Sequence, residues 1–203
     1  MKKLLFIVVL IIATITNANA KSNEAQAHDI LLKTLNMLQN PGGAQLSYDL
    51  KVSFYHKSGW ILLKGEKFKR SSRRTIDWYN GQTFWSMSKK TNEVTIKKPK
   101  HKMDEDVAVT SQLNFIKSGC RYSMTTEGDN YKIFVNAEAK DTKIKKAIVL
   151  INRFTYAPVQ IKLKVGFIWA TINMKNFKTG NYANSNFNFD PAEYKGCTII
   201  DKR

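Results

Sequence analysis

From Ala44 onward the chain alternates with a period of two. Leu46, Tyr48, Leu50, Val52 and Phe54 are interleaved with Ser47, Asp49, Lys51 and Ser53. Successive side chains on a strand point to opposite faces, so this pattern describes a strand with one dry face and one wet face. Lys57-Ser58-Gly59 turns the chain, and Trp60 to Lys69 returns it. Thr75 to Tyr79, Gln82 to Ser88 and Glu93 to Lys98 continue the meander. Asn80-Gly81 is a hairpin signal, because residues there must accept positive φ. Strands resume at Cys120 to Thr125, Tyr131 to Val135, Lys143 to Asn152, Val159 to Val165 and Phe167 to Met174, with a last pair around Phe187 and Thr198 to Ile200. Short strands joined by hairpin turns predict a mainly β chain built on one large antiparallel sheet.

Two segments break the pattern. Ala27, Ile30, Leu31, Thr34, Leu35 and Leu38 recur at helical spacing from Asn23 to Gln39, with Asn23 as cap and Pro41-Gly42-Gly43 as the stop. Met103 to Ser118 carries Asp104, Glu105 and Asp106 near its start and Val107, Leu113, Phe115 and Ile116 beyond, which predicts a second, shorter helix. About ten strands in a meander make a wide, curling sheet. Two helices cannot fill its concave side, so a greasy cleft is expected beneath them, which is the shape of a binding protein.

Residues 1–20 read as a signal peptide: Lys2 and Lys3, an apolar run from Leu4 to Ala13, and Ala18-Asn19-Ala20 at the end. The expected mature chain is one domain, 21–203, released into the periplasm. Its charge is uneven. Between Lys57 and Lys102 stand thirteen Lys or Arg against Glu66, Asp77 and Glu93. In the cytoplasm such a stripe would point to nucleic acid. Outside it no nucleic acid is expected, and anionic headgroups or an acidic protein are the fitting partners, the alternative being a solvated lysine-rich face. Cys120 and Cys197 are the two cysteines and can form one disulfide in an oxidising compartment; sequence leaves the pairing open.

Signals for catalysis are poor. The histidines are His28, His56 and His101, none with a second ligand at metal spacing. The chain carries no nucleophile elbow, zincin or phosphate-loop motif. No enzyme activity, metal or cofactor is expected.

Three stretches carry a resemblance: GWILLKGEKFKR, then IDWYNGQTFWSMSKKTNEVTI, then FNFDPAEYKGCTIIDKR. They resemble the periplasmic outer-membrane lipoprotein carrier (LolA) family. Asn80, Gly81, Gln82, Thr83 and Trp85 fit its middle element, Glu93, Val94 and Thr95 the next, and Phe187, Phe189, Ile199, Asp201 and Arg203 its end. The resemblance implies a strongly curved, incomplete antiparallel β-barrel with helices over the concave face as a lid. It implies a monomeric carrier that binds lipoprotein acyl chains, takes them from an inner-membrane ABC transporter and delivers them to an outer-membrane acceptor. A sensor of lipidated proteins or glycolipids on the same scaffold is the alternative. One departure stands out: Gly65 follows Lys64 where the family has an Arg thought to hold the lid closed.

Alternation places Leu50, Val52, Phe54, Trp60, Leu62, Trp78 and Phe84 in the cavity. The lid is expected to press Leu31, Leu35 and Leu38, and Leu113 and Ile116, against the concave sheet.

Overall fold

The computed structural model describes residues 23–99, 119–138 and 144–203. Residues 23–38 form helix α1, and Gly43 donates its N–H to Asn40 where the chain turns into the sheet. The expected second helix, with Leu113 and Ile116, lies outside the described residues.

Among the described residues twelve strands form one sheet: β1 (Ala44–Val52), β2 (Tyr55–Lys64), β3 (Lys67–Ser72), β4 (Thr75–Tyr79), β5 (Phe84–Ser88), β6 (Glu93–Lys97), β7 (Cys120–Glu127), β8 (Asn130–Ala137), β9 (Ile144–Asn152), β10 (Pro158–Val165), β11 (Ile168–Thr179) and β12 (Thr198–Asp201). Their order is β12-β6-β5-β4-β3-β2-β1-β11-β10-β9-β8-β7, so two meanders are joined by the pairing of β1 with β11. The sheet is open, with β12 and β7 at its edges, and β12 runs parallel to β6 where an antiparallel partner was expected. Phe187, expected on a strand, closes a 3-10 turn at Asn184–Phe187 instead.

Two turns differ from the sequence reading, and one has large consequences. The chain reverses at Ser53-Phe54, where Val52 pairs with Tyr55, and not at Lys57-Ser58-Gly59. It reverses again at Gly65-Glu66, so Trp60 to Lys69 is split between β2 and β3. Moving a turn from three residues to two shifts the register by an odd number and sends each side chain of the returning strand to the other face.

α1 lies on one face of the sheet, here called the inner face. Ala27, Ile30, Leu31 and Leu38 share one buried cluster with Leu46, Ile61, Leu63, Phe68, Tyr79 and Phe84 from one meander and Ile133, Val135, Ala147, Val149, Ile151, Ile161 and Met174 from the other. The helix is fastened at its start and again in its second half. Asn23 Nδ2 donates to the Met124 carbonyl at 3.1 Å and its Oδ1 accepts from the Met124 N–H at 2.9 Å, while Glu24 Oε1 accepts from the Tyr122 N–H at 2.9 Å. Asn23 therefore spends its side chain on the outward-facing backbone of edge strand β7, where an unpaired ladder would otherwise invite another chain. Further along, Thr34 donates its hydroxyl to the Tyr156 carbonyl at 2.9 Å and Lys33 stands 3.4 Å over the Tyr156 ring.

The other face has its own small core. Trp78, Met87, Val94 and Phe189 form a second buried cluster, with Ile76, Trp85, Tyr194 and Cys197 against it. The segment after β11 folds back over the outer side of β4–β6 and sets Phe189 and Tyr194 edge-on to Trp78, at 5.5 and 5.2 Å between ring centroids.

Candidate functional site on the inner face

Cross-strand partners share a face, so the register assigns each expected cavity residue. Leu50 and Val52 lie on the face of Leu46 and Tyr48, opposite Ile172 and Ala170 of β11. Phe84 pairs with Tyr79, which pairs with Phe68, and all three belong to the helix-facing cluster. Trp60, Leu62 and Trp78 do not join them. Leu62 pairs with Gln45 and Lys69, and Lys69 with Trp78, which places Leu62 and Trp78 on the outer face; Trp60, two residues before Leu62, shares it. Phe54 is in the β1–β2 turn and fully exposed. The expectation of a single shared face is therefore corrected: the reversal at Ser53-Phe54 sets Trp60 and Leu62 on the outer face, and Trp78 and Phe84 stand on opposite faces of their hairpin.

The Trp78–Phe84 conflict was visible in the sequence. The loop joining β4 to β5 has four residues, Asn80 to Thr83, and Asn80 Oδ1 accepts from the N–H groups of Gln82 and Thr83 at 3.0 and 2.9 Å. A two-residue Asn-Gly loop would have had the same parity, so Phe84 faces with Tyr79 and against Trp78 in either register. The two tryptophans of the hairpin, Trp78 and Trp85, face each other across β4 and β5 on the outer side. They are not the wall of an inner cavity.

The residues that do meet on the inner face include several that the sequence reading left out: Phe68, Tyr79, Ile61, and the apolar rows of β8–β11. Phe68 packs at a tilt against Tyr79 and Phe84, with ring centroids 5.7 and 6.3 Å apart, which makes a short aromatic row. Next to it runs a polar row, Arg70 opposite Asp77 opposite Ser86. Asp77 is 3 % exposed, and both of its oxygens are used: Arg70 Nε donates to one at 2.7 Å and the Ser86 hydroxyl to the other at 2.6 Å. A carboxylate can stay buried only with such partners. The Arg70 guanidinium also lies 5.1 Å over the Phe68 ring, so charge and aromatic rows touch. Tyr48 completes the patch. Its hydroxyl would be 3.1 Å from a Cβ at Gly59, and burial pushes its pKa up while Arg70 opposes the rise. Glycine is required at 59, since a Cβ there would sit 2.0 Å from the Ser71 carbonyl oxygen.

Of the expected lid residues on α1, Leu31, Leu35 and Leu38 are all buried, at 3, 4 and 7 % exposure. Gly65 sits in the β2–β3 turn with φ of 59°, so a side chain at that position would project from the end of the sheet. At the β7 edge, burial pushes the Tyr122 phenol up to about 12 and raises the neighbouring Cys120 thiol. No bridge joins Cys120 to Cys197. Cys120 begins one edge strand and Cys197 precedes the other, with the whole sheet between them.

Part of the basic stripe lies on the outer face. Lys64 donates to the Tyr182 carbonyl at 2.7 Å, Lys67 to Asn184 at 3.2 Å, and Lys89 to the Ser72 carbonyl at 2.7 Å, while Lys69 lies over Trp78 at 5.6 Å. Arg70 turns inward to Asp77, and the register puts Lys57, opposite Leu50, and Lys97, opposite Phe84, on the inner face as well. A polar cleft of about 330 Å³ opens on the outer side between Lys69 and the Ser185 to Glu193 segment. Among the described residues no three His, Cys, Asp or Glu side chains cluster as a metal site, and no helix is long and apolar enough to cross a membrane.

An open sheet with a helix over an apolar inner face is a fold with relatives. A structure of an uncharacterized conserved protein from Thermus thermophilus superposes with a TM-score of 0.57 at 11 % identity, over 87 % of this chain and 99 % of that one. LprF from Mycobacterium bovis superposes with a TM-score of 0.50 at 7 % identity, over 80 % of this chain and 98 % of that one. No curated protein matches the chain by sequence. The sequence profile described as "Outer membrane lipoprotein carrier protein LolA" matches residues 16–167, ending at the β10–β11 turn, so the segment that seals the outer face lies beyond the match. The chain belongs to the LolA family of outer membrane lipoprotein carrier proteins.

Proposed function

We propose that the protein is a periplasmic carrier that binds lipoprotein acyl chains between α1 and the inner face and moves them from the inner to the outer membrane. The observation that carries this reading is the inner face itself: one apolar surface continuous from Phe68, Tyr79 and Phe84 through Leu46 and Ile61 to Val149, Ile161 and Met174, on a sheet that never closes. The bonds that hold α1 go to β7 and to Tyr156 of the second meander, so in this reading the first meander's share of the surface parts from the helix to admit a ligand. Each methylene buried there is worth about 0.8 kcal/mol. A lipid tail gains enough from such a surface to cross water. The polar row at Arg70, Asp77 and Ser86 borders the apolar one, which suits a ligand whose tails end in esters or an amide.

Desolvation is the whole of the chemistry in this reading, with no catalytic step. An inner-membrane ABC transporter supplies the cargo and an outer-membrane acceptor takes it. Depletion tests the claim. Loss of a carrier accumulates mature lipoproteins in the inner membrane, whereas normal lipoprotein localisation after depletion would leave a sensor on the same scaffold as the better account.

A further inference from the structure

Two hairpin tips end side by side at one end of the sheet. Ser53-Phe54 joins β1 to β2 and Gly166-Phe167 joins β10 to β11, closed by the pairs Val52 with Tyr55 and Val165 with Ile168. Because Val52 pairs with Ala170 across β1 and β11, the tips are neighbours. Their sequences correspond: Lys51-Val52-Ser53-Phe54-Tyr55 and Lys164-Val165-Gly166-Phe167-Ile168. In both, the first turn residue takes positive φ, 49° at Ser53 and 59° at Gly166, and the second is a phenylalanine. The left-handed residue lets a two-residue turn follow the twist of the strands, so each phenylalanine is held at an apex.

Phe54 is 107 % and Phe167 100 % exposed, with Tyr55 at 55 %, Ile168 at 51 %, Val165 at 46 % and Trp169 at 40 %. Among the described residues, the large exposed apolar side chains elsewhere are Phe154 and Ile199. Single exposed apolar residues are ordinary, but a contiguous group marks an interaction surface. The register also collects cations behind the tips: Lys51 and Lys162 both face Thr171, and Lys164 faces Lys146. Two carboxylates lie near them and each has a cation of its own: Asp49 is engaged by His56 at 2.6 Å and Lys51 at 3.8 Å, and Glu127, within reach of Lys162, by Lys132 at 2.6 Å.

We propose that these paired tips dock the protein on an anionic lipid bilayer, with Phe54 and Phe167 inserted past the headgroups. An apolar apex with a lysine collar behind it matches the layering of a membrane surface, where hydrocarbon lies beneath phosphate. Trp169 and Tyr55 are set back from the apices at the depth where amphipathic rings reside. The tips also terminate the inner face, since Val52, Val165 and Ile168 continue the rows of Leu163 and Ile172. Docking would thus bring the open end of the inner face to the bilayer. That last link rests on the acyl-carrier reading; the docking does not.

The test is co-sedimentation of the chain from Lys21 with phosphatidylglycerol–phosphatidylethanolamine vesicles, against pure phosphatidylcholine vesicles. The same protein is titrated with a fluorescent fatty acid without vesicles, so that failure of the carrier reading shows separately. Binding is expected on the anionic vesicles and weak on the zwitterionic ones. Phe54→Ser with Phe167→Ser should weaken it roughly tenfold per phenylalanine, with an unchanged melting temperature because both are exposed. Lys51→Gln with Lys162→Gln and Lys164→Gln should weaken it roughly fivefold per lysine. Full binding by the phenylalanine variant overturns the proposal, as does no binding by the parent. Self-association that depends on Phe54 and Phe167 without vesicle binding overturns it in favour of a second copy.

Discussion

Trp78 and Tyr79 are adjacent in sequence and both nearly inaccessible, at 1 and 6 % exposure, for opposite reasons. Tyr79 is covered from the helix side, in a cluster that spans both meanders. Trp78 is covered from the other side by Phe189 and Tyr194, which arrive from the end of the chain. One hairpin thus has two dry faces, of which one is sealed by its own C-terminal segment and the other lies under a helix on an open sheet. An apolar pattern shows that a face will be covered. What covers it, and whether that cover can move, depends on a distant part of the chain.

The largest effects should come from the sealed face. Trp78→Ala leaves a cavity under Phe189 and Tyr194 and is expected to cost about 3–5 kcal/mol, lowering the melting temperature by roughly 10 °C for a chain of this size. Its affinity for a fluorescent fatty acid should stay at the parent's value at temperatures where it is folded. Phe84→Leu sharpens the contrast: calorimetry should show a smaller loss, about 1 kcal/mol, and the fatty-acid titration a weaker affinity. Equal effects of the two variants on ligand binding would remove the distinction between the faces.

Next in size is the cover of the inner face. Leu35→Asp places an unpaired carboxylate beneath α1 and should cost on the order of 3 kcal/mol, read by denaturant unfolding. Unchanged stability would mean that the helix does not rest on the sheet as described. A smaller loss, about 2 kcal/mol, is expected for Asp77→Ala, which strands Arg70 without its partner. Arg70 retains 21 % side-chain exposure, so water offsets part of the penalty. Restoration of stability by Arg70→Met in the Asp77→Ala background would identify the lost ion pair as the cause.

Much of this fold was legible in local pattern. Period two located most of the strands, and Ala27, Ile30, Leu31, Leu35 and Leu38 marked α1 with its apolar side. Turn length was harder. Ser53-Phe54 carries neither Gly nor Asn, so nothing local announced a reversal there, whereas Lys57-Ser58-Gly59 looks like a turn and runs through β2. That one displacement reversed Trp60 and Leu62. The Arg70–Asp77 pair was unreadable for another reason: on the sequence both are members of a charged stripe, and their burial follows from pairing across β3 and β4. Long-range features left no local trace at all, including the pairing of β1 with β11 and the parallel return of β12.

The central claim is that lipid tails lie against the inner face and not the outer one. Site-specific photocross-linking in cells tests it directly, with benzoylphenylalanine placed at Leu50 on the inner face or at Trp60 on the outer face of the neighbouring strand. The account predicts an adduct with mature lipoprotein at Leu50 and none at Trp60. Adducts of equal yield at both positions, or at Trp60 alone, would contradict it.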